Sequence, residues 1–130
     1  MEKIKVIIDW LDNYGAVSDM IPGCVATSQT HAGIMEDYAS AVEFHFEGLE
    51  PDEVPECLKG KYEFEYIMTT RALLHRLEGI ITRAAIARAT GINEQQLQHY
   101  MSGFRTARPD KREKILEAIH NIGKELINVA

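Results

Sequence analysis

Hydrophobic residues recur at every second position in two stretches of the first half of the chain. In residues 3–10 they share one parity while lysines and Asp9 take the other, and in residues 61–68 aromatic residues alternate with glutamates. This period of two predicts two strands, each with one buried face. Residues 14–20 and 25–29 predict two shorter strands, the first antiparallel to its predecessor because only a few residues connect the two. Between them, Pro22 and Gly23 predict a tight bend.

A helical spacing follows the third predicted strand. Thr30 is a suitable N-cap, and from there to residue 47 one helical face carries Ile34, Tyr38, Ala41, Val42 and His45. Residues 48–60, with their prolines and acidic residues, predict a surface loop. We expect the aromatic stripe of the last strand to pack against this helix rather than to stack nucleotides, because the surrounding charge is negative. The first half is therefore predicted to be a small β-β-β-α-β domain.

The second half of the chain carries helical spacing throughout. Residues 70–78 predict a short helix, and residues 83–100 predict two helices joined at Gly91, where glycine permits a left-handed turn. Asn93 is a suitable cap for the second of these helices, and Pro109 opens a last helix at a position where its missing N–H is harmless. The predicted core stripe of that helix is Ile115, Ile119, Ile122 and Leu126, which leaves Leu116 and Ile127 for a dimer interface.

Charge separates the same two halves. The whole chain of 130 residues has a net charge of −6, but residues 1–68 carry 4 basic and 14 acidic residues whereas residues 69–130 carry 10 and 6. The first half is thus strongly acidic and the second half is basic. Together with the change from mixed to purely helical patterning, this predicts an α+β protein of two domains, residues 1–68 and residues 69–130.

Several classes of function lack their signatures in this sequence. Cys24 and Cys57 form no CxxC pair, no metal-binding histidine spacing occurs, and no glycine-rich phosphate loop is present, so we predict neither a metal nor a cofactor. No hydrophobic run is long enough to span a membrane, and a cytoplasmic location is expected. A two-metal nuclease needs converging carboxylates, and Asp9, Asp12 and Asp19 do not form such a set. We therefore predict no catalytic residues and no enzymatic activity.

The helices around Gly91 carry side chains suited to DNA. Polar side chains on the outward face of the second helix can hydrogen-bond base edges in the major groove, and glutamine does so with adenine in a bidentate manner. The predicted base-reading residues are Glu94, Gln95, Gln98 and His99. Basic side chains at the start of the first helix and in the loop after the second can hold phosphates, and these are Arg83, Arg105 and Arg108.

Two resemblances extend this picture. Residues 14–24, with their Pro-Gly-Cys corner, followed by Thr30 and an amphipathic helix, resemble the N-terminal domain of HicB-type antitoxins, over about residues 1–68. Residues 82–103, including the exit Tyr100-Met101-Ser102-Gly103, resemble the helix-turn-helix of the Cro/repressor family. The first resemblance implies a partial RNase H-like fold. The second implies an all-α DNA-binding domain in which Ser102 joins the residues that hold the DNA backbone.

Together the resemblances imply an antitoxin of a type II toxin-antitoxin system. Such a protein neutralises a small basic mRNA-interferase toxin of the HicA type and represses its own operon by binding double-stranded operator DNA as a homodimer or higher homo-oligomer. The toxin-binding residues do not follow from the sequence. The alternative is a stand-alone helix-turn-helix transcriptional regulator whose N-terminal domain dimerises or senses a ligand.

Overall fold

The structure, a computed structural model, describes residues 1–129 and has an α+β fold. It contains one four-stranded mixed sheet and five α-helices. The chain divides into two compact units, Met1–Ala72 and Leu73–Ala130, whereas the sequence placed the domain boundary after Met68. None of the described helices combines the length and the hydrophobicity that a membrane span requires.

The first unit is built on the sheet. Its strands are β1 (Glu2–Trp10), β2 (Tyr14–Val17), β3 (Val25–Ser28) and β4 (Tyr62–Met68), in the order β3-β2-β1-β4. β2 is antiparallel to both of its neighbours, as predicted for its pairing with β1, and β4 is parallel to β1. The parallel pair requires a crossover, which contains helix α1 (His31–Glu47). Two short 3-10 helices, Pro51–Glu53 and Glu56–Leu58, lie in the predicted loop that follows α1.

β2 is shorter than predicted because the chain turns at Ser18. The Ser18 carbonyl accepts a hydrogen bond from the Ile21 amide at 3.2 Å, and its hydroxyl accepts one from the Met20 amide at 3.2 Å. These bonds close a turn where the hydrophobic pattern alone predicted further strand. The predicted bend follows at Gly23, whose φ of +82° lies in the left-handed region that favours glycine.

Helix α1 covers one face of the sheet with Ile34, Tyr38, Ala41 and Val42 of the predicted face, whereas the predicted His45 is half-buried and lies outside the core. Its N-cap is Thr30, whose hydroxyl accepts a hydrogen bond from the Gly33 amide at 3.0 Å. The aromatic stripe of β4 packs against it, as expected: the Tyr38 and Phe64 rings lie 5.6 Å apart in a T-shaped arrangement, and the Tyr66 hydroxyl donates to the Met35 carbonyl at 3.1 Å. The fully buried residues of this core include Ile4, Val6, Ile8, Ile34, Tyr38 and Val42.

The opposite face of the sheet carries a hydrophobic row. Strand register pairs Val25 with Val17, Val17 with Ile7, and Ile7 with Ile67, so that the row crosses all four strands. Val25, Val17 and Ile7 are exposed, and Ile67 is half-buried. We call these four residues the outer row.

The second unit is helical. α2 (Thr70–Leu77) begins in the first unit and is followed by α3 (Arg83–Thr90), α4 (Glu94–Ser102) and α5 (Pro109–Ile127). As predicted, Pro109 is the first residue of the last helix. The buried core of this unit is formed by Leu74, Leu77, Ile86, Ile92, Leu97, Tyr100, Met101 and Ile115.

The predicted core stripe of α5 is wrong at its C-terminal end. Ile115 is buried and Ile119 and Ile122 are half-buried, but Leu126 is 66% exposed. Helix α3, which packs on α5, has 8 residues against 19 in α5. At about 1.5 Å per residue, α3 is too short to cover the last turns of α5. Ile127, predicted to lie off the core, is exposed as well.

Candidate nucleic-acid interface

Local hydrogen bonds fix the angle between α3 and α4. The Thr82 hydroxyl caps α3 by accepting from the Ala85 amide at 3.1 Å. At the other end Gly91 has a φ of +76°, as predicted, and its amide donates to the Ala87 carbonyl at 2.8 Å. The Thr90 hydroxyl donates to the Ile86 carbonyl at 2.7 Å and accepts from the Ile92 amide at 3.1 Å. The amides of Gly91 and Ile92 in the turn thus each have a hydrogen-bond partner.

Helix α4 is anchored on one side and open on the other. Its predicted cap is confirmed, because the Asn93 side-chain oxygen accepts from the Gln96 amide at 2.8 Å. Leu97 and Tyr100 are buried, and the Gln96 amide nitrogen donates to the Tyr100 hydroxyl at 2.9 Å. The buried side fixes the rotation of the helix and therefore determines which side chains are presented on the other side.

Three of the four predicted base-reading residues lie exposed on α4. These are Glu94, Gln95 and Gln98. They differ from Gln96, which points toward Tyr100 and is half-buried. The exposed face therefore offers one carboxylate, which accepts hydrogen bonds, and two carboxamides, each of which can both accept and donate at a base edge.

His99, the fourth predicted base reader, does not face fully outward. Its ring lies 4.8 Å from the Phe104 ring, and its Nδ1 atom is buried without a hydrogen-bond partner among the described residues. The chain returns toward α4 after Gly103, whose φ is +83°, and the Arg105 amide donates to the His99 carbonyl at 3.1 Å. A hydrophobic residue after a C-terminal glycine commonly contacts the last turn of the helix in this way, and that signal in Gly103-Phe104 was missed.

Two residues with separately predicted roles are joined in the structure. Arg83 lies in the first turn of α3 and was predicted to hold DNA backbone, whereas Gln98 on α4 was predicted to read a base. The Arg83 Nη1 atom donates a hydrogen bond to the Gln98 Oε1 atom. The guanidinium thus contacts the exposed face of α4 directly.

A basic pocket lies between the Gln96–Tyr100 side of α4 and the residues that follow this helix. It has a volume of about 630 Å³, and among its lining residues are Arg105, Arg108 and Lys111, with Asp110 as the one acid. Arg105 and Arg108 were predicted to hold phosphates, and Lys111 was missed because it lies inside α5, in its first turn. Arg108 directly precedes α5, where the helix dipole adds a positive potential. The pocket can accommodate an anion.

Ser102 lies at the C-terminal end of α4, and its hydroxyl is already engaged. It donates to the His99 carbonyl at 3.2 Å and accepts from the Phe104 amide at 3.3 Å. Both bonds stabilise the end of the helix. In the loop that follows, the guanidinium carbon of Arg105 lies 5.6 Å from the centre of the Phe104 ring.

In the first unit, the three carboxylates considered for a nuclease site lie in three different environments. Asp9 is paired with Arg71 at 2.8 Å, Asp12 occupies the β1–β2 turn with a φ of +65°, and Asp19 is exposed. Within residues 1–129, no group of three or more His, Cys, Asp or Glu side chains is arranged to hold a metal ion.

Comparison with known proteins adds no assignment to these observations. No protein-family model matches the chain, and no curated protein matches it.

Proposed function

We propose that α3 and α4 form a helix-turn-helix that binds operator DNA, and that the chain is a HicB-type antitoxin that represses its own operon. The observation that carries the proposal is the exposed face of α4. Glu94, Gln95 and Gln98 project from a helix whose other side is buried, and a basic pocket lies beside this helix. A helix of this width enters the major groove, where carboxamides and carboxylates distinguish base pairs.

The charge distribution favours the same partner. Residues 69–130 have ten basic and six acidic side chains, so this half attracts phosphate although the whole chain is acidic. In the proposed complex, Arg105, Arg108 and Lys111 contact the DNA backbone beyond the C-terminal end of α4. These contacts fix the register of the helix on the duplex, and the side chains of α4 supply the sequence preference.

Binding as a homodimer follows from the size of α4. One helix of nine residues contacts few base pairs, and a symmetric pair doubles the contact and recognises a palindromic operator. Leu126 and Ile127 are exposed at the end of α5 and offer the hydrophobic surface that a second copy would cover.

The antitoxin part of the proposal assigns a partner to the first unit. Residues 1–68 have four basic and fourteen acidic side chains, which favours association with a small basic toxin. The outer row adds exposed hydrophobic residues to this acidic unit, and we propose that the toxin covers it. In this proposal the toxin binds through the face that it uses for RNA, so that binding would block access to its substrate.

DNA binding is tested by selection of duplexes from a random library with the purified full chain. We expect one palindromic consensus, and binding that weakens steeply as salt concentration rises. Recovery of no consensus would contradict the proposal. Retention of the full preference by Gln95→Ala would contradict the placement of α4 in the groove.

Toxin neutralisation is tested with the product of the gene adjacent to the one that encodes this chain, which the proposal expects to be a small basic protein. We expect that protein to cleave RNA and the full chain to abolish cleavage at equimolar concentration. Val17→Lys should weaken inhibition, whereas Ser40→Lys, which adds the same charge at an exposed position of α1, should not. If the adjacent gene product does not cleave RNA, or if the chain does not inhibit it, the protein is instead a stand-alone regulator, provided that the duplex selection succeeds.

A further inference from the structure

We infer that Arg83 is a positioning residue that makes Gln98 read guanine rather than adenine; this inference rests on the proposed binding of duplex DNA. Arg83 comes from α3 and Gln98 from α4, and the hydrogen bond between them crosses the two helices. The bond constrains a side chain that would otherwise rotate freely, because Gln98 is exposed.

The chemistry of the pair fixes which way the amide faces. A guanidinium group has only hydrogen-bond donors, so the Gln98 atom that faces Arg83 must be the oxygen. The amide nitrogen, with its two hydrogens, is then the group directed away from Arg83. The pair therefore presents Gln98 to its surroundings as a donor.

A donor suits guanine better than adenine, because guanine presents two acceptors in the major groove whereas adenine presents one acceptor, N7, beside the N6 donor. Bidentate reading of adenine requires the glutamine oxygen to accept from N6 while the nitrogen donates to N7, so both amide atoms must face the same base edge. In Gln98 the oxygen is directed at Arg83. Guanine presents two acceptors, O6 and N7, in the major groove, and the Gln98 nitrogen can donate to either one.

The positive charge of Arg83 acts in the same direction. Its guanidinium lies beside the Gln98 amide, where it attracts the electronegative O6 and N7 edge of guanine and disfavours the amino group of adenine. Gln95 differs from Gln98 in this respect, because among residues 1–129 no hydrogen bond constrains its amide. The two glutamines are therefore expected to have different base preferences, with Gln95 free to take adenine.

The test compares the base preferences of variants by selection from a random duplex library. The position read by Gln98 is the one whose preference Gln98→Ala loses, and we expect a G·C pair there in the wild type. In Arg83→Ala the freed Gln98 amide should move that preference toward A·T by about fivefold or more. The base preference at the positions read by Gln95, which are those whose preference Gln95→Ala loses, should stay unchanged in Arg83→Ala. Arg83→Lys, which keeps a donor and a charge, should retain G·C.

A matched control separates positioning from a simple loss of charge. Arg88→Ala removes an exposed cation from the same helix and should leave the base preference unchanged. An A·T pair at the Gln98 position in the wild type would overturn the inference, as would a G·C preference that survives in Arg83→Ala. Failure to select any consensus with the wild-type chain would instead overturn the proposed function, and the inference with it.

Discussion

Asp9, near the end of β1, accepts two hydrogen bonds from Arg71, in the first turn of α2. The Arg71 Nη2 atom lies 2.8 Å from Oδ2, and Nε lies 3.2 Å from Oδ1. The Thr69 hydroxyl donates to the same carboxylate at 2.6 Å. Partial burial by itself raises the pKa of Asp9, but the hydrogen bonds from Arg71, Thr69 and the Trp10 amide outweigh it, so that the pKa is lowered. The cluster ties β1 to the residues that follow β4.

Asp9→Asn is therefore expected to destabilise the protein at neutral pH and to lose this effect in acid. Because the folded-state pKa lies below the ordinary value of 3.8, the stabilisation is present above that pH and disappears as pH falls through the folded-state pKa. We expect a loss of about 1 kcal/mol at pH 7, reduced from the usual value for charged hydrogen bonds because the pair is partly exposed. Urea denaturation at pH 7 and pH 3 measures it.

The control for this measurement is Asp19→Asn, which changes an exposed carboxylate two residues after the end of β2. It should change the free energy of unfolding little at either pH. An Asp9→Asn effect of equal size at pH 7 and pH 3 would show that packing, and not the charge of the carboxylate, accounts for the loss.

Two tyrosines on opposite sides of the α1–β4 contact are expected to respond oppositely to loss of the hydroxyl group. The Tyr38 hydroxyl is buried without a hydrogen-bond partner among the described residues. Its pKa is raised to about 12, mainly by burial and to a smaller extent by electrostatic interaction with Cys24 and Tyr66. Tyr38→Phe removes an unsatisfied polar group and should leave stability unchanged or raise it by up to about 1 kcal/mol. Tyr66→Phe breaks the bond to the Met35 carbonyl and should cost about 1 kcal/mol.

Thermal denaturation of the two single variants and the double variant at pH 7 tests this pair. A Tyr38→Phe variant that is less stable than Tyr66→Phe would show that the buried hydroxyl has a partner in solution. The double variant reports whether the two positions act independently.

Gly33 in the first turn of α1 is required by space rather than by backbone angle. A Cβ atom there would lie 2.5 Å from the Ser28 Oγ atom and 2.7 Å from the Thr30 Oγ1 atom, which caps the helix. Gly33→Ala should therefore destabilise by about 1 kcal/mol, the usual cost of a lost cap, although alanine is the better helix former. Gly123→Ala in α5 is the control: its Cβ meets no atom within 4 Å, and it should stabilise by up to about 1 kcal/mol.

A Gly33→Ala variant that is as stable as the wild type, or more stable, in chemical denaturation would contradict this account of Gly33. An increase in stability in both variants would mean that Ser28 and Thr30 rotate away without loss of the cap. A decrease in both would mean that alanine at position 123 meets a neighbour in solution.

The elements of this fold could be predicted where local chemistry determines them. Thr30 and Asn93 cap their helices through their own side chains, and Gly91 takes the left-handed turn that its position implies. The end of β2 was missed although the Ser18 turn is also local, because the hydrophobic pattern continues past it. The exposure of Leu126 could not be predicted, because it depends on the length of a neighbouring helix.

In the candidate site, too, some features could be predicted from the sequence and others could not. The exposure of Gln95 on α4 follows from the helical period, which is a property of the sequence. The Arg83–Gln98 bond and the contact of His99 with Phe104 depend on how α3 crosses α4 and how the chain returns after Gly103. Sequence reasoning assigned Arg83, Gln98 and His99 to a DNA-binding surface, which remains a prediction, but it paired none of them with a neighbour.

Gln95 and Arg105 are expected to differ in the kind of DNA binding that they support. Gln95→Ala should weaken binding to the selected duplex by about 1 to 3 kcal/mol and leave binding to random DNA unchanged, because it removes a base contact. Arg105→Ala should weaken both and lower the slope of log K against log salt by about one unit, because it removes one phosphate contact. Fluorescence anisotropy over a salt series measures both quantities. Gln29→Ala, an exposed glutamine in the first unit, should change neither, and an Arg105→Ala variant with an unaltered salt slope would exclude that residue from the backbone contact.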